Sequence, residues 1–142
     1  MQTVYYVAGS IAALGTLVAA IIAVCVYPRN ARLEQSRWAS SFYEKYYEAD
    51  RYKVIREALD SDDNNQIRQL VEKEEAEFTD YLNFFEHVAI FTKSKQLNKD
   101  DVEASFAYYL NCLSELEAVR NYIEDETKGY EHLKEYLVSR RT

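Results

Sequence analysis

Glycine and proline are scarce in this sequence, with three glycines and one proline in 142 residues. Beyond Pro28 only Gly129 remains, so the residues that usually shape the turns between strands are almost missing from the rest of the chain. Apolar residues recur there every three or four positions, which is the spacing of one helix face. The sequence therefore predicts an all-α protein.

Motifs for catalysis and metal binding are also lacking. The chain has no glycine-rich phosphate loop, no H-E-x-x-H, no C-x-x-C and no G-x-S-x-G. Neither His87 nor His132 has the glutamate three residues earlier that helical di-metal sites use. Two isolated cysteines, Cys25 and Cys112, give no disulfide framework. We therefore expect no enzymatic activity, no metal and no cofactor.

Charge is absent from the first 28 residues. All 17 basic and 24 acidic residues follow Pro28, and the net charge is −7. Neutralising the phosphates of a duplex needs a net basic surface, so we expect no duplex nucleic acid as a partner. A small anionic ligand in a local basic pocket is still compatible with this balance.

The uncharged stretch Val4–Tyr27 is the longest apolar run in the chain, with 24 residues. As a helix it would extend about 36 Å, enough to cross a hydrocarbon core of roughly 30 Å. A cleavable signal peptide is disfavoured because Met1–Thr3 contains no lysine or arginine. The sequence predicts a transmembrane anchor over 1–28 and a cytosolic domain over 29–142.

Three arginines closely follow the apolar stretch, and no basic residue precedes it. The positive-inside rule then places the N-terminus outside and the domain in the cytoplasm. We expect these arginines to contact anionic lipid headgroups. They are Arg29, Arg32 and Arg37.

Small residues occupy one half of the predicted membrane helix. In lipid, helices associate where small side chains let their backbones approach closely. The pattern predicts a homo-oligomer, with a tetramer favoured, although small residues are also common in membrane helices that do not associate. The packing residues are predicted to be Ala8, Ala12, Gly15, Thr16, Ala19 and Ala23.

The cytosolic domain is predicted to contain about four helices. The first three are expected at about 31–59, 66–92 and 99–124, and a short last helix carries Tyr130, Leu133, Tyr136 and Leu137. Asn98, followed by two aspartates, is expected to cap the third helix.

Two basic clusters are candidate ligand sites, since arginine and lysine bind phosphates whereas tyrosine rings and amides bind bases. The first cluster comprises Lys45, Tyr47, Arg51, Tyr52 and Arg56, and the second comprises Lys93, Lys95, Asn98 and Lys99. The alternative interpretation is ion pairing along helix faces, with the aromatic residues of the first helix forming a core stripe.

Two further segments are distinctive, namely DSDDNNQ at 60–66 and YLNFFEHVAIFTKSKQLNKDDVEASFAYYL at 81–110. They resemble a family of small bacterial membrane proteins that have an N-terminal membrane helix and a helical cytosolic domain. Among proteins of this layout are the CRISPR-associated ancillary membrane effectors. This resemblance implies a bacterial inner-membrane protein that binds a cyclic oligoadenylate during phage infection and then disrupts the membrane. No ligand motif carries over residue by residue.

Two functions are therefore expected as alternatives. The first is a non-enzymatic antiviral effector that a cyclic oligoadenylate switches on. The second is a membrane-tethered helical module that binds a protein partner and no small ligand. A phage lysis pore is a weaker third interpretation, because such proteins rarely need a large acidic folded domain.

Overall fold

The structure is a computed structural model. It describes the backbone of residues 2–61, 64–73 and 76–141, and the side chains of residues 16, 20–24, 26–61, 65–73 and 76–141. The chain divides into two compact units, Met1–Gln35 and Ser36–Thr142. This division falls after Gln35, whereas the sequence predicts a boundary after Pro28, which stays a prediction.

The described elements are all helical. They are α1 (Gln2–Glu48), α2 (Lys53–Asp60), α3 (Asn64–Glu72), α4 (Ala76–Lys93), α5 (Lys99–Glu115), α6 (Glu117–Glu124) and α7 (Glu131–Arg140). Single 3-10 turns, Asp50–Tyr52 and Glu126–Lys128, lie before α2 and before α7. No strand occurs in the described ranges, so the all-α prediction is confirmed for them.

The predicted membrane segment lies within α1, which continues through Pro28. Among the residues described, no helix is both long enough and apolar enough to cross a membrane. Two of the predicted packing residues are exposed, namely Thr16 and Ala23; the side chains of the others lie outside the described residues, namely Ala8, Ala12, Gly15 and Ala19. The membrane span and its packing face stay predictions.

The described chain has more helices than expected, and the prediction of about four in the domain is wrong. Each of the three long predicted helices is divided: the first at Ala49, the second after Glu72, the third at Leu116. Ala49 and Leu116 have extended backbones, with ψ of 106° and 111°. Both side chains pack against the core. This packing offsets the helical hydrogen bonds that the breaks give up, and neither residue type marks a break locally.

Arginines from elsewhere in the fold bind the helix ends that two of these breaks create. Arg56 donates from Nη1 to the Tyr46 carbonyl at 2.5 Å and from Nη2 to the Tyr47 carbonyl at 3.1 Å, at the end of α1. Arg141 donates from Nη2 to the Ser114 carbonyl at 2.7 Å, at the end of α5. The last carbonyls of a helix have no donor within the helix, and positive charge is favourable there.

A buried carboxylate caps the start of α7 by accepting hydrogen bonds from its first amides. Glu86 of α4 accepts the Leu133 N–H at 2.7 Å with Oε2 and the His132 N–H at 3.2 Å with Oε1. Negative charge is favourable at this end of a helix, where the first amides lack helical acceptors. Glu86 thereby fixes α7 against α4. Among the described elements, these two helices pack against each other most extensively.

An aromatic core joins the last turns of α1 to α4 and α5. The Tyr46 ring is fully buried, with its centroid 5.6 Å from Phe85 and 5.5 Å from Phe106. Its hydroxyl lies 2.9 Å from the hydroxyl of Tyr81, which is also fully buried. Burial raises the pKa of both hydroxyls well above their usual range. The pair therefore stays neutral in the folded domain.

The aromatic stripe predicted on the first helix is partly buried and partly exposed. Tyr46 and Tyr52 are core residues. In contrast, Trp38, Tyr43 and Tyr47 keep 49%, 42% and 38% of their surface exposed. The core-stripe interpretation therefore holds for part of the stripe and leaves an aromatic surface beside it.

Candidate ligand-binding clefts

The arginines of the first predicted cluster are bound within the fold. Arg51 Nη1 donates to Asp80 Oδ2 at 2.9 Å, and its guanidinium lies 4.7 Å from the centroid of the Tyr52 ring. Arg56, which binds the end of α1, has its guanidinium 5.6 Å from the centroid of the Tyr47 ring. Protein groups thus already occupy part of the hydrogen-bonding capacity of both arginines.

The remaining members of this cluster differ in exposure. Lys45 and Tyr47 are exposed, whereas Tyr52 is only 2% exposed. The fold brings arginine and tyrosine together in two pairs, Arg51 with Tyr52 and Arg56 with Tyr47. None of these five residues lines either of the two clefts described below. Their ligand-binding role stays a prediction.

Asn98 and Lys95 of the second cluster belong to the turn between α4 and α5. Asn98 Oδ1 accepts the Asp100 N–H at 2.8 Å, which confirms the predicted cap. Lys95 has a φ of 60°, in the left-handed region that non-glycine residues seldom adopt, and its side chain is exposed. The turn sets the positions of the two lysines on either side of it.

Those two lysines, Lys93 and Lys99, line a cleft of about 210 Å³, which we call the α4–α7 cleft. Lys93 Nζ donates to Glu135 Oε2 at 2.6 Å, and this hydrogen bond lowers the pKa of Glu135. Lys99 Nζ lies 6.0 Å from the centroid of the Tyr136 ring. The other lining residues are Ala89, Thr92, His132 and Ser139. Lys99 beside the Tyr136 ring suits a phosphate attached to a flat group, whereas Lys93 is already paired with Glu135.

The predicted lipid-contacting arginines lie on α1. All three, Arg29, Arg32 and Arg37, are exposed. Exposure on a helix that begins with an uncharged stretch is compatible with headgroup contact, which stays a prediction.

A larger cleft, which we call the arginine cleft, has a volume of about 440 Å³. Its lining residues come from α5, α6 and α7 and the residue after α7, and they are Asn111, Ser114, Glu115, Arg120, Leu137, Arg140 and Arg141. None of them belongs to the two predicted clusters. The cleft concentrates three guanidinium groups in a chain whose net charge is −7.

The three arginines of this cleft differ in what they bind. Arg140 donates two hydrogen bonds to the Glu103 carboxylate, from Nε to Oε1 at 2.8 Å and from Nη2 to Oε2 at 2.9 Å. Tyr136 also donates its hydroxyl to Glu103, at 2.8 Å. Burial alone would raise the pKa of Glu103, but these hydrogen bonds outweigh it, and the pKa is lowered. The charge of Arg140 is therefore balanced within the protein.

Arg120 is an arginine of this cleft whose charge no described carboxylate balances. It is half-buried, and its guanidinium has no hydrogen bond or ion pair to any residue that the structure describes. Arg141 commits one nitrogen to Ser114 and retains its other donors. With Glu115 in the lining and Arg140 paired to Glu103, they leave the cleft with an excess of positive charge.

Sequence reasoning missed this cleft for a specific reason. The three arginines meet because α6 packs against both α5 and α7, and the sequence predicts α5 and α6 as one helix. One local sign existed: Arg120 directly follows Val119 and lies four residues after Leu116, at the edge of the apolar stripe. An arginine at such an edge lies partly out of water, where an unpaired charge is unfavourable.

Among the described residues, no group of three or more histidine, cysteine, aspartate or glutamate side chains is placed to hold a metal ion. Cys112 is half-buried beside the core, and burial raises the pKa of its thiol. A raised pKa disfavours the thiolate and hence a nucleophilic role.

The chain was compared with protein-family models, with curated proteins and with solved structures, and none of the three comparisons finds a match.

Proposed function

We propose that the protein is a membrane-anchored, non-enzymatic antiviral effector of the bacterial inner membrane. Residues 4–27 anchor it with the N-terminus outside, and the domain lies in the cytoplasm. A cyclic oligoadenylate binds the domain, and the membrane helices then disrupt the bilayer. The observation that carries the proposal is the uncharged 24-residue stretch at the start of the chain, followed directly by arginines.

The α4–α7 cleft supports the ligand part of this proposal. Lys93 and Lys99 were predicted as ligand residues from sequence, and they line the same cleft beside Tyr136. Its volume of about 210 Å³ lies below the roughly 300–1,000 Å³ typical of small-molecule sites. A cleft of this size takes part of a cyclic oligoadenylate, such as one phosphate and its neighbouring group. A ring with repeated units would then engage the same cleft on several copies of the chain.

Oligomerisation through the small-residue face would bring those copies together. A symmetric ring ligand and a symmetric homo-oligomer, with a tetramer favoured, present matching repeats. The ligand can shift the membrane helices only if it binds one subunit arrangement more tightly than another. The functional step is therefore a rearrangement of subunits that ligand binding favours.

Calorimetric titration of the full chain in a nonionic detergent tests this proposal. Cyclic oligoadenylates of different ring size are the probes, and a Lys93→Ala/Lys99→Ala variant removes both cleft lysines. A Lys53→Ala/Lys73→Ala variant removes the same charge from α2 and from the turn after α3, and it serves as the matched control. We expect micromolar or tighter binding to one ring size, weakened at least about tenfold only in the cleft variant. No binding to any ring by the folded oligomer would overturn the ligand assignment.

The alternative, a tethered protein-interaction module, is favoured by the exposed aromatic surface. Tyr43 and Tyr47 lie with ring centroids 4.3 Å apart, and Tyr108 is 52% exposed beside Tyr109. Tyrosine is enriched at the centres of protein interfaces. If no cyclic oligoadenylate binds, this function predicts one co-purifying partner, lost in a Tyr43→Ala/Tyr108→Ala variant and retained in Lys93→Ala/Lys99→Ala.

A further inference from the structure

We propose that the arginine cleft is a second ligand site that binds the phosphate group of a phosphate ester. This site is separate from the α4–α7 cleft and does not depend on the proposed effector function. The central group is Arg120, and Arg141 is a second arginine of the same lining.

The charges on the cleft lining support this assignment. Arg140 is balanced by Glu103, which holds it with two short hydrogen bonds. Glu115 contributes one negative charge, whereas Arg120 and Arg141 contribute two positive charges that no described carboxylate pairs. The cleft therefore has a positive excess, although the whole chain is acidic.

The cost of partial burial strengthens the argument. A half-buried guanidinium has lost part of its hydration, and an unpaired charge in that position is unfavourable. An anion that accepts hydrogen bonds from Arg120 would compensate this cost. Folding alone explains Arg56, Arg140 and Arg141, since each binds a protein group, but it supplies no described partner for Arg120.

The size and lining of the cleft define the ligand class. A volume of about 440 Å³ lies within the roughly 300–1,000 Å³ range of small-molecule sites. Guanidinium groups bind phosphate oxygens in a two-pronged geometry. Asn111 adds an amide, and Leu137 adds an apolar wall for the organic part of the ester. A soluble phosphate ester and a lipid phosphate headgroup share this chemistry.

The experiment uses the full chain in nonionic detergent at low ionic strength, with binding followed by calorimetry. Two probes separate the sources: sodium pyrophosphate represents soluble phosphates, and short-chain phosphatidic acid represents lipid headgroups. Arg120→Met is the decisive variant because the Arg120 side chain makes no hydrogen bond or ion pair with a described residue. Arg68→Met, an exposed cation on α3, is the matched control. Near-UV circular dichroism shows that each variant keeps its tertiary packing.

We expect at least one probe to bind saturably and to lose at least about tenfold in affinity in Arg120→Met, with a change within about twofold in Arg68→Met. A response to pyrophosphate identifies a soluble phosphate ligand, and a response to phosphatidic acid alone identifies a lipid headgroup. Failure of both probes to bind would overturn the proposal, as would equal losses in the two variants. Titration with cyclic oligoadenylates tests the effector function separately, since it depends on Lys93 and Lys99.

Discussion

Glu86 offers the sharpest test of how the fold is held together. It is 9% exposed, and its carboxylate accepts two amide hydrogens at the start of α7. A hydrogen bond to a charged group contributes about 1.5–3 kcal/mol, and the helix end adds roughly 0.3–1 kcal/mol. The contact at 3.2 Å is the weaker of the two. We therefore expect Glu86→Ala to lower the free energy of unfolding by about 3–5 kcal/mol.

A Glu86→Gln variant separates the charge from the hydrogen bonds. Glutamine retains a single acceptor oxygen and no charge, so we expect it to lose about half as much as alanine. Urea unfolding of the full chain in nonionic detergent, followed by near-UV circular dichroism, measures all three proteins. Glu77→Ala, at an exposed glutamate of the same helix, is the control. A loss in Glu86→Ala no greater than in Glu77→Ala would refute the capping role.

Two further predictions concern buried polar contacts. Because the pKa of Glu103 lies below its ordinary value of 4.5, its pairing with Arg140 stabilises the fold above that pH and is lost as the pH falls through the lowered pKa. Glu103→Gln should therefore lower the thermal midpoint near pH 7, and its difference from the wild type should shrink as the pH falls below 4.5; a difference that stays constant on acidification would contradict this. Tyr81→Phe leaves the buried Tyr46 hydroxyl without its partner at 2.9 Å, which should cost about 1–3 kcal/mol. The Tyr46→Phe/Tyr81→Phe double variant should cost less than the sum of the two single changes in urea unfolding, and simple additivity would argue against the pair.

The helical class was predictable because it depends on local composition. The shortage of glycine and proline and the helical spacing of apolar residues act within each segment, as does the Asn98 cap on α5. The breaks at Ala49 and Leu116 were not predictable in this way. Both residues leave the helix because their side chains pack against a core assembled from distant segments. Tertiary packing overrides local propensity at such positions.

The two clefts differ in the same way, since one follows from local sequence and the other from tertiary packing. Lys93 and Lys99 lie six residues apart around one turn, so their meeting in a cleft follows from local sequence. Arg120 and Arg141 lie 21 residues apart and meet only through the packing of α6 against α5 and α7. The net charge of −7 gives no sign of a basic site in this region. Charge counts average over a surface, whereas binding depends on which charges the fold leaves unpaired.

Several charged side chains stabilise helix ends instead of leaving their charge available to a ligand. Arg56 and Arg141 bind carbonyls at the ends of α1 and α5, and Glu86 binds amides at the start of α7. The same guanidinium chemistry that binds a phosphate is used here to end a helix, so basic residues in the sequence are ambiguous until their partners are known. Arg140 is likewise committed, to Glu103. Arg120 lacks a partner among the described residues, which is why the ligand assignment rests on it and not on the arginines that the sequence made most conspicuous.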